Sequence, residues 1–255
     1  MIFRERVHRS GSVLTVSGSS LLEMPSCQKK VTLCGAGLLS LASALTAALA
    51  LSTPSWAEAT VLCQTGAQLV NASGSELEKF IGRISYGLFH GQRLRECGLG
   101  GRSLQITFFP TLLDAIPAGL HVAVILFSVV VIVFALVAAG FFMFNAFGRP
   151  YETLQGPNGL YLWNTIACSS GFMVMILFTS EVKTHRLSEK IANYKEANFV
   201  FKTQTEAFGY SFWLLFVCTA MHSVNILLIR LAGIQFPFFK PKNADSSNGG
   251  ADLMY

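Results

Sequence analysis

Four stretches of this chain run for about 20 residues or more without a single Asp, Glu, Lys or Arg: 31–51, 117–144, 160–179 and 208–229. A helix needs about 20 apolar residues to cross the hydrocarbon core of a bilayer. Inside that core a lone segment satisfies its backbone only as a helix. The apolar residues fall in these blocks rather than in the periodic scatter of buried soluble helices. Only 13% of residues are charged, against about 25% in soluble domains. The fold class that follows is membrane all-α: a four-helix transmembrane bundle, here with a small extracellular β-sheet.

The net charge of +5 is spread over the segments between blocks. It forms no stripe or aromatic-interleaved patch, so nucleic acid is not an expected partner. Charge also gives little orientation. Basic residues stand before the first span (Lys29, Lys30), after the fourth (Arg230, Lys240, Lys242) and between the third and fourth (Lys183, Arg186, Lys190).

The segment 52–116 orients the chain. It holds the triplet Asn71-Ala72-Ser73 and two cysteines, Cys63 and Cys97. Sequons are modified in the secretory lumen and disulfides persist in oxidising compartments. The expectation is a plasma-membrane protein with Asn71 glycosylated, Cys63 bonded to Cys97, and both termini cytoplasmic. In that topology 1–30 (with 1–23 a disordered extension and Met24 an alternative start), 145–159 and 230–255 are cytoplasmic, and 180–207 is a second outer loop. A cleaved signal peptide ending near Ala48-Leu49-Ala50 is the rival, disfavoured by the length of its apolar run.

Within 52–116, TVLC and AQLV flank Gln64-Thr65-Gly66 and predict a hairpin. Ile84, Tyr86 and Leu88 alternate with polar or small residues, as do Leu104, Ile106 and Phe108, which predicts half-buried strands. Gly98, Gly100 and Gly101 supply a turn. In the second loop Leu187, Ile191 and Tyr194 continue a helical period past span three, with the charges there a solvated face. Phe199 and Phe201 mark a strand able to join the first loop's sheet. On span one Ala36, Ser40, Ala44 and Ala48 recur every four residues as a close-packing seam.

Chemistry is sparse. His121, Asn164, His222 and Asn225 are the polar residues at depth. His222 and Asn225 share a helix face, suited either to hydrogen bonds between helices or to lining a path, while His121, near a span end, is either a functional candidate of the same kind or an interfacial residue. No metal-ligand spacing, nucleophile–base pairing or phosphate-cradling loop is present, and Gly98-Leu99-Gly100-Gly101 neither follows a buried parallel strand nor opens a helix. Catalytic, metal and cofactor residues are therefore expected to be none. Leu253, Met254 and Tyr255 form an extended end suited to PDZ capture, and Cys27 beside Lys29-Lys30 is a candidate for palmitoylation.

MPSCQKK, TPSWAEATVLCQTGAQLVNASGSELEKF, YGLFHG, ECGLG, NAFGRPYETLQGPNGLYL, SEVKTHRLSEKIANYKE and the terminal ADLMY together resemble the clarins, most of all the branch linked to Usher-type deafness and blindness. The resemblance covers 24–255. It implies a four-span glycoprotein of sensory hair cells that organises hair bundles or ribbon synapses, with Asn71 at the family's glycosylation position and no enzymatic activity. More distantly the chain is similar to the claudin-type four-span superfamily. There Trp56 fits, but Phe89 replaces the Trp of Gly-Leu-Trp, and Cys63 precedes that triplet while Cys97 follows it. The expected partners are membrane lipid, PDZ-type or cytoskeletal adaptors at the tail, and a second copy or other membrane proteins. The alternative function is a channel or a regulatory transport subunit. Asn-glycanase digestion of the membrane-expressed protein is expected to increase its gel mobility; unchanged mobility would count against a sugar on Asn71.

Overall fold

The computed structural model describes residues 26–98, 100–148 and 156–232. The extension 1–23 and the end formed by Leu253, Met254 and Tyr255 lie outside them. The first half of the chain gives α1 (Ser26–Ser52), β1 (Ala57–Cys63), α2 (Gln64–Leu69), a 3-10 segment (Gly74–Phe80), β2 (Ile81–Tyr86), β3 (His90–Arg95) and β4 (Arg102–Thr107). A π-type turn (Phe108–Leu112) leads to α3 (Ala118–Phe147), followed by α4 (Pro157–Lys183), α5 (Leu187–Asn193), β5 (Phe201–Phe208) and α6 (Tyr210–Leu231).

Four of these helices, α1, α3, α4 and α6, are long and apolar enough to cross a membrane. They close a ring in which α1 and α4 each pack against both α3 and α6. Large apolar side chains point outward: Leu45, Leu126, Val133, Ile176, Phe216 and Leu227 are exposed. Ser40, Ser43, Ser128, Asn164, Thr219, His222 and Asn225 are buried. This inverts a soluble bundle, as hydrocarbon requires. Apolar surface costs nothing against lipid, whereas a polar group needs a protein partner.

Small residues set the helix spacing. On α1, Ala36, Ser40 and Ala44 are buried, but Ala48 is exposed and Ala47 takes its place. A strict four-residue step outruns the 3.6-residue turn, so by the third step the seam has drifted about 120°. On α4, a Cβ on Gly171 would stand 2.2 Å from Thr219 Oγ1 of α6, so glycine is what admits α6 at this point.

The sheet sits at one end of the bundle, antiparallel, in the order β4-β3-β2-β1-β5. β5 joins the strands of the first loop through β1, as the Phe199–Phe201 pattern predicted. Phe201 is buried in the strand, and Phe199 is half-buried ahead of it. Both edges of β1 are thereby occupied. AQLV finds no free edge, and Gln64–Leu69 coils into α2 instead of forming the predicted hairpin. Leu88 and Phe108 also fall outside the strands, in the turns that follow β2 and β4, and both are buried. Strand β3 (HGQRLR) lacks apolar alternation and escaped the sequence reading. The second loop does not continue α4 either: Arg186 adopts a left-handed φ of 50°, which turns α5 back under the sheet, and Tyr194 caps that helix from outside.

Cys63, at the far end of β1, is disulfide-bonded to Cys97 across a sequence separation of 34. Closing a loop of that size removes about 4 kcal/mol of chain entropy from the unfolded state in the loop-closure model. The inner face of the sheet buries Val61, Ile84, Tyr86 and Phe201 together with Leu187, Ile191 and Ala192 of α5.

Gly171→Ala is expected to lower thermal stability in detergent by about 1–3 kcal/mol through overpacking against Thr219. Gly171→Ala combined with Thr219→Ala is expected to recover most of that loss. A single variant that melts like the native chain would show that α4 and α6 do not meet there.

Candidate functional site

The sheet is fastened to the bundle by a compact seam. At the end of α1 the Thr53 hydroxyl donates to the Leu49 carbonyl at 3.0 Å and also pairs with Ser211 Oγ at 2.7 Å. Trp56, wholly buried, donates its indole N–H to the Ala50 carbonyl at 2.7 Å and packs edge-on against Phe178 of α4 at 5.1 Å. The β2–β3 turn then comes down on this connector. A Cβ on Gly87 would lie 2.5 Å from the Thr53 carbonyl oxygen, so only glycine admits the approach.

One residue on, the Leu88 carbonyl accepts a hydrogen bond from His121 Nε2 at 2.8 Å. His121 lies in the first turns of α3, and its Nδ1 is 2.9 Å from Glu181 Oε1 in the last turn of α4. Its ring stacks on Phe108 at 4.6 Å and 9°. His121 and Glu181 are both fully buried. Both side chains are therefore covered by protein, and Glu181 is not part of a solvated face: the turn of the sheet lies over them. A carbonyl oxygen can only accept, so Nε2 carries its proton. The pair clasps three elements at once.

A second fastening joins the two loops. Arg93 of β3 is buried, and its Nη1 donates to the carbonyls of Ile191 (2.5 Å), Ala192 (3.0 Å) and Tyr194 (3.1 Å) at the end of α5. The last carbonyls of a helix lack internal partners and carry its negative dipole end, so a cation there satisfies both. Burial, and secondarily the charge on Arg95, pull the Arg93 guanidinium down to about 10, which leaves it charged at neutral pH. Arg95 pairs with Glu196. Asn193 acts as a strand edge for β5, accepting from Phe201 N–H at 2.8 Å and donating to its carbonyl at 2.9 Å. Tyr86 shares a 3.0 Å hydrogen bond with Ser188, and burial raises its phenol above the usual range.

Within the bundle a third cluster ties α1, α4 and α6. His222 Nδ1 is 3.0 Å from Asn164 Oδ1, and its Nε2 is 3.1 Å from Ser43 Oγ. Asn225 donates to Ser40 Oγ at 2.8 Å, with Asn164 Oδ1 at 3.4 Å. His222 and Asn225 thus meet a shared partner, Asn164. The other residues singled out from sequence lie apart. Asn71 is exposed beyond α2 at φ 53°, and Cys27 is exposed in the first turn of α1. Among the described residues no group of three or more His, Cys, Asp or Glu could hold a metal.

Sequence reasoning missed Arg93 and Glu181. Glu181 carried a usable signal, a lone carboxylate within one turn of the end of an apolar block. Arg93 had none, because nothing local distinguishes it from Arg95.

Comparison with known proteins gives the family. A family model described as Clarin-2-like matches residues 28–229. The chain is 60% identical to human Clarin-1 over 232 residues, covering 91% of this chain and all of that protein. It is 56% identical to mouse Clarin-1 and 39% identical to human Clarin-2, each with the same coverage.

His121→Ala leaves Glu181 buried without its partner and is expected to cost about 3–5 kcal/mol of stability, measured by thermal unfolding in detergent. The double variant His121→Leu with Glu181→Leu is expected to be less destabilised than His121→Ala, because no uncompensated charge remains. Equal melting of native and His121→Ala protein would rule the clasp out as a structural element.

Proposed function

This chain belongs to the clarin family, and from that premise we propose that it is a non-enzymatic multi-pass glycoprotein of the plasma membrane. It organises junctional, synaptic or actin-linked complexes in sensory cells, with a role in hearing and vision. Both termini are cytoplasmic, Asn71 carries the sugar, and the sheet faces outward. The observation that carries this reading is the buried clasp between His121, Glu181 and the Leu88 carbonyl, with Arg93 beside it. A sheet held to four helices this firmly is suited to transmit position between an outer contact and the tails. Its outward face offers Glu58, Thr60, Arg83, Ser85 and Gln92 as polar contact groups. Leu253, Met254 and Tyr255 would engage a PDZ-type adaptor, with Cys27 a lipidation point beside the membrane.

The polar cluster supports a scaffold over a channel or transport subunit. The His222 ring bonds Asn164 and Ser43, and the Asn225 amide nitrogen bonds Ser40, each between helices, which is structural use of polar groups in lipid. Proximity labelling from the carboxyl terminus in a polarised sensory cell is expected to recover junctional, synaptic or actin-linked neighbours. One residue added after Tyr255 is expected to remove the PDZ proteins among them. A labelled set with no such neighbours would defeat the scaffold role. His222→Ala is expected to lower stability by about 1–2 kcal/mol without altering ion flux in reconstituted vesicles; flux in the native protein that vanishes in this variant would install the channel reading in its place.

A further inference from the structure

At the foot of the sheet the strand register defines a level. Phe208, Ala57, Tyr86, Gly91 and Ile106 form one cross-strand row, and that row lies a few residues from the ends of α1 and α6. Phe89 and Phe109 lie beyond it, on the bundle side. Phe89 follows Leu88, whose carbonyl meets His121, and the Phe109 ring centre is 6.1 Å from the His121 ring. His121 belongs to the first turns of α3. The two phenylalanines therefore stand where the apolar helices begin, at headgroup height in the sheet-side leaflet.

Between them and the outward side chains of β3 and β4 lies a groove of ≈ 420 Å³, lined by Phe89, Phe109, His90, Gln92, Gln105 and Thr107 among others. The rings are 6.2 Å apart and tilted by 39°. They are 39% and 40% exposed, so faces remain free. Gln92 and Gln105 are register partners and offer amide donors on the same side. No Asp, Glu, Lys or Arg contributes to the lining.

We propose that this groove binds the phosphocholine headgroup of a phospholipid in the sheet-side leaflet. The quaternary ammonium lies against the faces of Phe89 and Phe109, an attraction between a cation and ring quadrupoles that needs no carboxylate. The phosphate oxygens accept from the amides of Gln92 and Gln105. An anionic headgroup would call for Lys or Arg in the lining, and a primary ammonium, more strongly hydrated, for acceptor oxygens. The site depends on the chain crossing a membrane and not on the scaffold role, so either can fail alone.

The test uses the full chain purified in a maltoside detergent and titrated with dihexanoylphosphatidylcholine or dihexanoylphosphatidylglycerol, with binding followed by saturation-transfer NMR on the headgroup protons. The choline lipid is expected to bind about tenfold more tightly. Phe89→Leu with Phe109→Leu keeps the apolar bulk and removes the ring faces, and is expected to weaken choline binding about tenfold while leaving glycerol binding unchanged. Equal affinity for the two lipids overturns the proposal, as does native choline binding in the double variant, which would mean apolar anchoring alone. If that variant shows no native thermal transition, Gln105→Ala replaces it: a several-fold loss supports the site, and unchanged choline affinity rejects it.

Discussion

In hydrocarbon there is no water to accept what the protein leaves unbonded. That constraint governs the bundle. Every helix satisfies its own backbone, apolar side chains such as Leu126 and Phe216 face outward, and the few polar ones turn inward to find one another. Asn164 is the centre of that arrangement, since its Oδ1 meets both His222 and Asn225 of α6. Ser40 and Ser43 bring α1 to the same place. These bonds are individually modest, but they are directional where lipid-facing packing is not, so they set which faces of α1, α4 and α6 meet. Gly171 and the alanines of α1 then decide how close those faces come.

The same constraint, applied at the rim, explains the clasp. His121 and Glu181 stand at the ends of two spans, near enough to water that lone side chains could snorkel into it. They are instead covered by the β2–β3 turn, which supplies the Leu88 carbonyl as a third partner. Burying an imidazole and a carboxylate is tolerable because they lie 2.9 Å apart and pair with each other. The sheet is thereby part of the bundle's own solution to burial, not an appendage on a tether. Arg93 does the same for the second loop, drawing the carbonyl end of α5 under β3. The disulfide works at the opposite end of the sheet, where α2 begins beside it.

Trp56, Gly87 and Leu88 all fall in the seam. Trp56 and Leu88 are wholly buried, and Gly87 admits the Thr53 backbone. Phe89, the residue after Leu88, is exposed, so it lies outside the seam that its neighbours fill.

The sequence alone determined the four membrane-crossing helices, because uncharged runs of that length have one stable backbone form in lipid. It also indicated the β5 strand by its spaced phenylalanines, and the pairing of Cys63 with Cys97 as two cysteines sharing one loop. Strand β3, the left-handed break at Arg186 and the roles of Arg93 and Glu181 were decided by tertiary structure. Each depends on a partner remote in the chain: β3 on the edges of β2 and β4, Arg93 on carbonyls of α5, Glu181 on an imidazole 60 residues away. Hydrophobic length and period are local properties and can be read in one dimension. Which charge may be buried is set by what closes over it, and that is known only once the chain has folded back on itself.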